Sequence, residues 1–339
     1  MNILLISPPE VPVRPESKYL GIERMVWEYA RQLIKNHKVT VMGHADSIYP
    51  EGVQTLPIKP QPNICPELQL YQTHQSALRT FDVIHDWSHL HLASRYTVNL
   101  PSLNLFFHAP ALVQYAKAPY NIISFSQWGA REFERIYHQK ARYQQSIGID
   151  PAIYCPKGKR GNRFLTIGRM APEKGNLQAL HICKAMGVPL DIVGGRGFEK
   201  NPNEPLTDYE KAIQEKSDGK IIKLWGEVAE DRKVKLMQSC CALLYCSNHP
   251  EVTSHKIQEC MFCEAPVIVP TLGAMHEIVT DKVNGYLCRE AKDYVWAIEH
   301  LDDLEPEKAY DALIDKYSIG KVVERYIPLY EEVANGLRW

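Results

Sequence analysis

The sequence predicts an α/β protein built from two parallel-sheet domains, and three observations carry that expectation. Short apolar runs alternate with amphipathic stretches through both halves of the chain, the pattern of parallel strands joined by crossover helices. The 339 residues exceed what one core usually holds, and two domains of roughly 150 residues fit the length. Between Asp150 and Arg163, Pro151, Pro156, Gly158 and Gly161 punctuate a charged stretch without periodicity, so the break belongs there. The domains are expected at 1–150 and 151–320.

In the first half, strands are expected at Ile3–Ser7, Val39–Gly43, Val83–Asp86, Ser102–Phe107 and Asn121–Ser126. Helical spacing marks Glu23–Lys35 and Gly129–Tyr137, and the charged residues read as a helix continuing over Gly129–Gln145. The second half repeats the habit with strands at Phe164–Ile167, Leu190–Val193, Ile221–Trp225, Ala242–Cys246 and Val267–Val269. Two such sheets make a double Rossmann-like arrangement. Tyr49–Pro66 and Gly197–Pro205 read as surface loops. A last helix near Lys321–Asn335 shows a broad apolar face of Val322, Val323, Tyr326, Ile327 and Tyr330.

Hydrophobic content of 45%, charged content of 23% and a net charge of −1 describe a globular protein with no overall pull toward nucleic acid. No segment approaches the roughly 20 apolar residues of a membrane span, and Met1–Ser7 reads as a first buried strand rather than an export signal. Nine cysteines without a disulfide rhythm favour reduced thiols and a cytoplasmic location. Cys260 and Cys263, near Cys240, Cys241 and Cys246, raise a zinc reading. Their place within a helix, facing the core, favours packing instead, and no metal is expected.

The chemistry concentrates in the second half. Glu251 and Glu259 are eight residues apart, and at ~1.5 Å per residue they span roughly 12 Å, enough to reach a ribose and a sugar on either side of a diphosphate. Thr253 or Ser254 can cap the helix that follows, leaving backbone N–H groups facing the loop around Glu251, a place that favours phosphate. Arg169 and Lys174 follow the strand Phe164–Ile167, at the carboxyl end where open α/β sheets bind ligands. Gly194, Gly195 and Gly197 make a further turn after a strand. In the first half, His108 follows a buried strand and opens the loop before Ala109 and Pro110. His85, Asp86, His89 and His91 invite a metal interpretation, but no further ligands complete a set in the sequence. Arg131, Arg135, Lys140 and Arg142, interrupted by Glu132 and Glu134, give a mixed helix face with weak support for contact with a membrane surface.

These residues occur in an order that resembles glycosyltransferase family 4, whose members are retaining enzymes with two facing Rossmann-like domains, the GT-B fold. Leu20 to Arg24 is similar to the family's GGxER turn, Phe81 to His85 to its DVVH strand, and Phe106 to His108 to the strand end carrying its histidine. Ser124 to Gln127 resembles its avSe segment, and Ile147 to Asp150 its NGVD hinge. Arg169 to Gly175 matches GRLxPEKG, and Asp191 to Gly195 matches lxivGxG. Departures stand beside the matches: Leu20 and Glu264 replace family glycines, and Glu251 to Glu259 differs from EPFGLVxxE, with Ser254 in the glycine position.

The resemblance implies transfer of a sugar from a nucleoside diphosphate sugar to a hydroxyl acceptor, without metal or other cofactor. It implies that Arg169 and Lys174 hold the diphosphate, Glu259 the ribose and Glu251 the transferred sugar, with His108 contacting that sugar. Gly21, Gly194, Gly195, Val228, Ser254, His255 and Lys256 fall on donor-lining segments, Val228 in the loop that meets the base. It also implies that the last helix, at about 321–339, packs on the first domain. A sugar-nucleotide epimerase of similar fold and a non-catalytic nucleotide-sugar binder stand as alternatives. The first would alter donor without acceptor, and the second would bind donor without turnover.

Overall fold

The computed structural model describes residues 1–14, 21–107, 119–196 and 204–339. They form two compact units, one of residues 1–148 with 317–339 and the other of residues 149–316. In the first unit the strands are β1 (Asn2–Ile6), β2 (Lys38–His44), β3 (Gln54–Ile58), β4 (Val83–Asp86), β5 (Ser102–Phe106), β6 (Ile122–Ser124) and β7 (Ala141–Tyr143). They pair in parallel in the order β3-β2-β1-β4-β5-β6-β7. Helices α1 (Ile22–Leu33), α2 (Pro66–His74), α3 (Leu92–Tyr96) and α4 (Gln127–Tyr137) belong to this unit.

The second unit holds β8 (Phe164–Ile167), β9 (Leu190–Val193), β10 (Ile222–Gly226), β11 (Leu243–Leu244), β12 (Val267–Pro270) and β13 (Gly285–Cys288), also parallel, in the order β10-β9-β8-β11-β12-β13. Its helices are α5 (Asn176–Met186), α6 (Asp208–Lys216), α7 (Glu230–Ser239), α8 (His255–Phe262), α9 (Met275–Ile278), α10 (Ala291–Glu299) and α11 (Tyr310–Tyr317), the last ending one residue past the unit's limit. In both sheets the order of connection reverses beside the first strand, between β1 and β4 and between β8 and β11. That is where such sheets open a crevice for ligands.

The interior strands β1 and β12 carry continuous apolar runs because both faces are covered. Ile3, Leu4 and Leu5 are fully buried in β1, as are Val267, Ile268 and Val269 in β12. The last helix, α12 (Ile319–Ala334), packs against α1 and β4 of the first unit. Its Tyr326 and Tyr330 are fully buried: Tyr326 shares a hydrogen bond of 2.5 Å with Ser146, and Tyr330 meets His85 Nδ1 at 2.8 Å.

Three edge regions differ from expectation. The stretch read as a loop at Tyr49–Pro66 contains β3, which tolerates Pro57 because one side of an edge strand needs no N–H donor. The charged helix read as running to Gln145 stops at Tyr137. His138 takes a left-handed conformation there (φ 52°), and Arg142 lies instead in β7. Arg135 pairs with Glu132 and Arg142 stacks on Trp339, so the proposed basic face is not one surface. The edge strand β13 had no counterpart in the expected elements. Residues 197–203 of the loop at Gly197–Pro205 lie outside the described residues. No helix among the described residues is long and apolar enough to cross a membrane.

Candidate active site

The second unit builds a charged pocket wall from the loops after β8 and β11 and the start of α8. Asn176, fully buried at the first position of α5, donates to the carbonyls of Gly168 and Arg169 at 3.3 and 2.8 Å and fixes the loop after β8. Ser247 Oγ and Asn248 N donate to the Glu173 carbonyl at 2.9 and 3.2 Å, tying the two loops together. Gly175 (φ +70°) crosses so close to Cys246 that a Cβ would lie 1.8 Å from its carbonyl oxygen. Any side chain there would push the loops apart. Gly194 (φ +142°) is equally constrained, with the Gly168 oxygen 1.9 Å from where a Cβ would be. Gly195 accepts from Met170 N at 2.8 Å.

On this frame Lys174 Nζ meets Glu251 Oε1 at 2.5 Å, and Tyr245 OH donates to the same oxygen at 2.5 Å. Lys256 Nζ lies 4.2 Å from the centre of the Tyr245 ring. A side chain added at Gly168 would meet Lys174 Cβ at 3.4 Å and Lys256 Nζ at 3.7 Å, so both lysines gather over the end of β8. Arg169 pairs with Glu173 at 3.3 Å. The Glu251 backbone is fixed by Ala274 N, which donates to its carbonyl at 2.9 Å.

The charges shift one another. Burial pushes the Glu251 carboxyl up, but Lys256 and Lys174 outweigh it and hold it below the usual range, so it is a carboxylate at neutral pH. Burial lowers Lys256 to about 8, with Glu251 opposing and Lys174 adding to the fall. Its charge therefore changes near neutrality.

Glu259 lies on α8 in a second group. Its carboxylate accepts from Tyr154 OH at 2.8 Å and from Lys233 Nζ at 3.1 Å at each oxygen. Tyr154 also donates to Glu230, and Lys233 pairs with Glu230 at 3.1 Å. Burial pulls Lys233 down, yet Glu259 and Glu230 together raise it, so it stays charged. Burial and both carboxylates push the Tyr154 hydroxyl far up, which keeps it a donor.

Ser254 stands at the N-cap of α8, but its side chain makes no capping bond. Its extended backbone (φ −151°, ψ 106°) leaves the hydroxyl buried and without a partner among the described residues, as is His255 Nε2 beside it. Burial lowers the His255 ring to about 4, so it is neutral. Val228 is half-buried between β10 and α7.

The sequence-derived residues thus separate into three groups. Arg169, Lys174, Glu251, Lys256, Gly194 and Gly195 cluster around the ends of β8 and β11. Ser254, His255 and Glu259 follow on α8. Gly21 stands apart at the N-terminus of α1 in the first unit, and His108 lies outside the described residues. Sequence reading missed Tyr154, Lys233 and Tyr245. Only the spacing of Glu230 and Lys233, one helical turn apart, signals any of them, and on its own it reads as a surface ion pair.

Of the first unit's histidines, His85 is core, stacked on Tyr326 with ring centres 4.9 Å apart. His89 is different. Glu10, Glu67 and His89 each bring one possible ligand atom within 4.8 Å of the others.

Residues 156–317 match the family of glycosyl transferases, group 1. The match covers the second unit from residue 156 onward and every residue of the two charged groups except Tyr154. The whole chain has the GT-B fold. It is similar to AviGT4, a glycosyltransferase involved in avilamycin A biosynthesis, at 21% identity over 100% of this chain and 99% of that one, with a TM-score of 0.74. HepE of Anabaena, solved in complex with UDP-glucose, is 15% identical over 99% and 100%, with a TM-score of 0.76. A sucrose-phosphate synthase from Thermosynechococcus elongatus is 16% identical over 99% and 100%, also at 0.76. No curated protein matches the chain significantly.

Proposed function

We propose that the chain is a retaining glycosyltransferase of family 4 that moves a sugar from a nucleoside diphosphate sugar to a hydroxyl acceptor. The observation that carries this reading is the meeting of Lys174, Lys256 and Glu251 over the end of β8, with the Ser254 hydroxyl at the start of α8 buried and unpartnered among the described residues. A diphosphate offers acceptor oxygens for Lys256 and the Ser254 hydroxyl and competes with Glu251 for Lys174. The complex of HepE with UDP-glucose and the group 1 match over residues 156–317 support the same ligand class.

In this reading Lys174 leaves Glu251 for a phosphate oxygen when donor binds. Arg169, Lys174 and Lys256 then neutralise the charge that grows on the leaving diphosphate, so sugar transfer needs no metal or cofactor at that step. Glu251, freed from Lys174 and still held by Tyr245, turns to hydroxyls of the transferred sugar. Glu259, oriented by Tyr154 and Lys233, accepts from the ribose hydroxyls. The departing phosphate takes the acceptor proton on the face it leaves, which retains the anomeric configuration.

The test is incubation with a panel of nucleoside diphosphate sugars and hydroxyl acceptors, with the product's anomeric coupling read by proton NMR. A glycoside of the donor's anomeric configuration is expected. An inverted product overturns the retaining mechanism, and a donor sugar altered without acceptor overturns transfer itself.

A further inference from the structure

We propose that Glu10, Glu67 and His89 bind one divalent metal ion of the Mn²⁺ type at the carboxyl end of the first unit's sheet. The site goes beyond the donor chemistry and does not depend on it.

The three residues come from separate segments: the turn after β1, the first turn of α2 and the loop after β4. Each offers one ligand atom, and these atoms all lie within 4.8 Å of one another. Three atoms with no pair more than 4.8 Å apart lie within about 2.8 Å of a common centre, so shifts of up to about 0.7 Å bring each to a metal bond of about 2.1 Å. Among the described residues no other group of three histidine, cysteine or acidic side chains converges in this way. The cysteines around Cys260 therefore do not assemble three donors.

Glu67 is held for the task. His89 N donates to its Oε1 at 2.6 Å and Leu90 N to its Oε2 at 2.7 Å, which fixes the carboxylate against the loop carrying His89. Each oxygen keeps a lone pair. Glu10 Oε2 is buried and has no hydrogen-bond partner among the described residues. Two carboxyl groups brought together, Glu67 buried and Glu10 half-buried, are costly as a pair of anions unless a proton or a cation joins them.

Asp86 gives an independent sign. It is fully buried; its Oδ1 accepts from Ser88 N at 2.9 Å, while its Oδ2 has no partner among the described residues. With Glu67 and Ser88 it lines a mostly apolar cavity of about 10 Å³, room for one water-sized occupant, which of the three ligands only Glu67 borders. A water on the metal would supply the donor that Oδ2 lacks, the usual outer partner of such a site. The place is the reversal between β1 and β4, where a parallel sheet opens toward ligands. Two carboxylates and one imidazole suit Mn²⁺ better than a thiol-seeking ion.

The experiment titrates Mn²⁺ into dialysed, metal-free full-length protein and follows the free ion by electron paramagnetic resonance. Mn²⁺ avoids competition from the nine free cysteines. One ion per chain is expected, with affinity falling at least tenfold in Glu10→Gln and in His89→Ala. Mn²⁺ should also raise the melting temperature of the wild type and not of the variants. Glu10→Gln is the first choice because it leaves the backbone contacts of Glu67 intact, and circular dichroism checks that both variants fold. Absence of saturable binding at one ion per chain, or equal affinity in wild type and both variants, overturns the site.

Discussion

The two sheets reverse their strand order in the same way and place opposite chemistry at the reversal. Between β8 and β11 stand Arg169, Lys174 and Lys256 with Glu251; between β1 and β4 stand Glu10, Glu67 and Asp86 with His89. The backbone supplies the crevice in both cases, and side chains alone decide what enters it. One end suits a polyanion and the other a cation. The contrast also separates two kinds of positioning: the cationic end is built on tight glycine turns, and the acidic end on a carboxylate pinned by backbone N–H groups.

The largest expected effect comes from removing one cation. Lys174→Ala should lower turnover by on the order of ten- to a thousandfold, the scale of losing one group that stabilises developing charge, and should leave Mn²⁺ binding in the first unit unchanged. Near-normal turnover would show that the ion pair with Glu251 is only structural. Next, Glu259→Ala should weaken donor affinity by roughly tenfold or more while slowing the bound complex far less, because a ribose contact exists in ground and transition states alike. Equal donor affinity in mutant and parent removes Glu259 from that role.

The pH dependence should distinguish the two ends further. Lys256, lowered to about 8 by burial, is charged below that pH and neutral above it. Donor affinity should therefore fall as pH rises through 8, by up to about tenfold per unit. In Lys256→Arg the profile should be flat over this range, since arginine stays charged. A wild-type affinity equal at pH 7.5 and 9.5 would place Lys256 outside the donor contacts. The smallest effect concerns the frame beneath the site. Glu264 closes α8 in a left-handed conformation (φ 56°) that favours glycine. Glu264→Gly should raise stability by about 1 kcal/mol in urea denaturation, and an unchanged midpoint would mean the position is unstrained.

Interior strands were legible in the sequence because both faces are buried, leaving short runs such as Ile3–Ile6 and Val267–Val269 without polar interruption. Of the four edge strands only β10 was, at Ile221–Trp225; Pro57 in β3, Arg142 in β7 and Gly285 in β13 carry loop-like chemistry that one free side permits. At the candidate site the motif residues Arg169, Lys174 and Glu251 could be grouped from their places after strands. Their partners could not. Tyr154 lies in the segment between the expected domains, Tyr245 at a strand end and Lys233 on a helix, and only folding brings them to the two glutamates. Glu10 and Glu67 escaped for the same reason, since they come from other segments of the first unit, after β1 and in α2.

The central claim is that the loops after β8 and β11 bind a nucleoside diphosphate, and calorimetric titration of UDP, GDP, ADP and TDP into the full-length protein tests it most directly. At least one should bind at one per chain, with the heat of binding lost in the folded double variant Arg169→Ala with Lys174→Ala. Failure of all four to bind, or binding undiminished in that variant, would contradict the account.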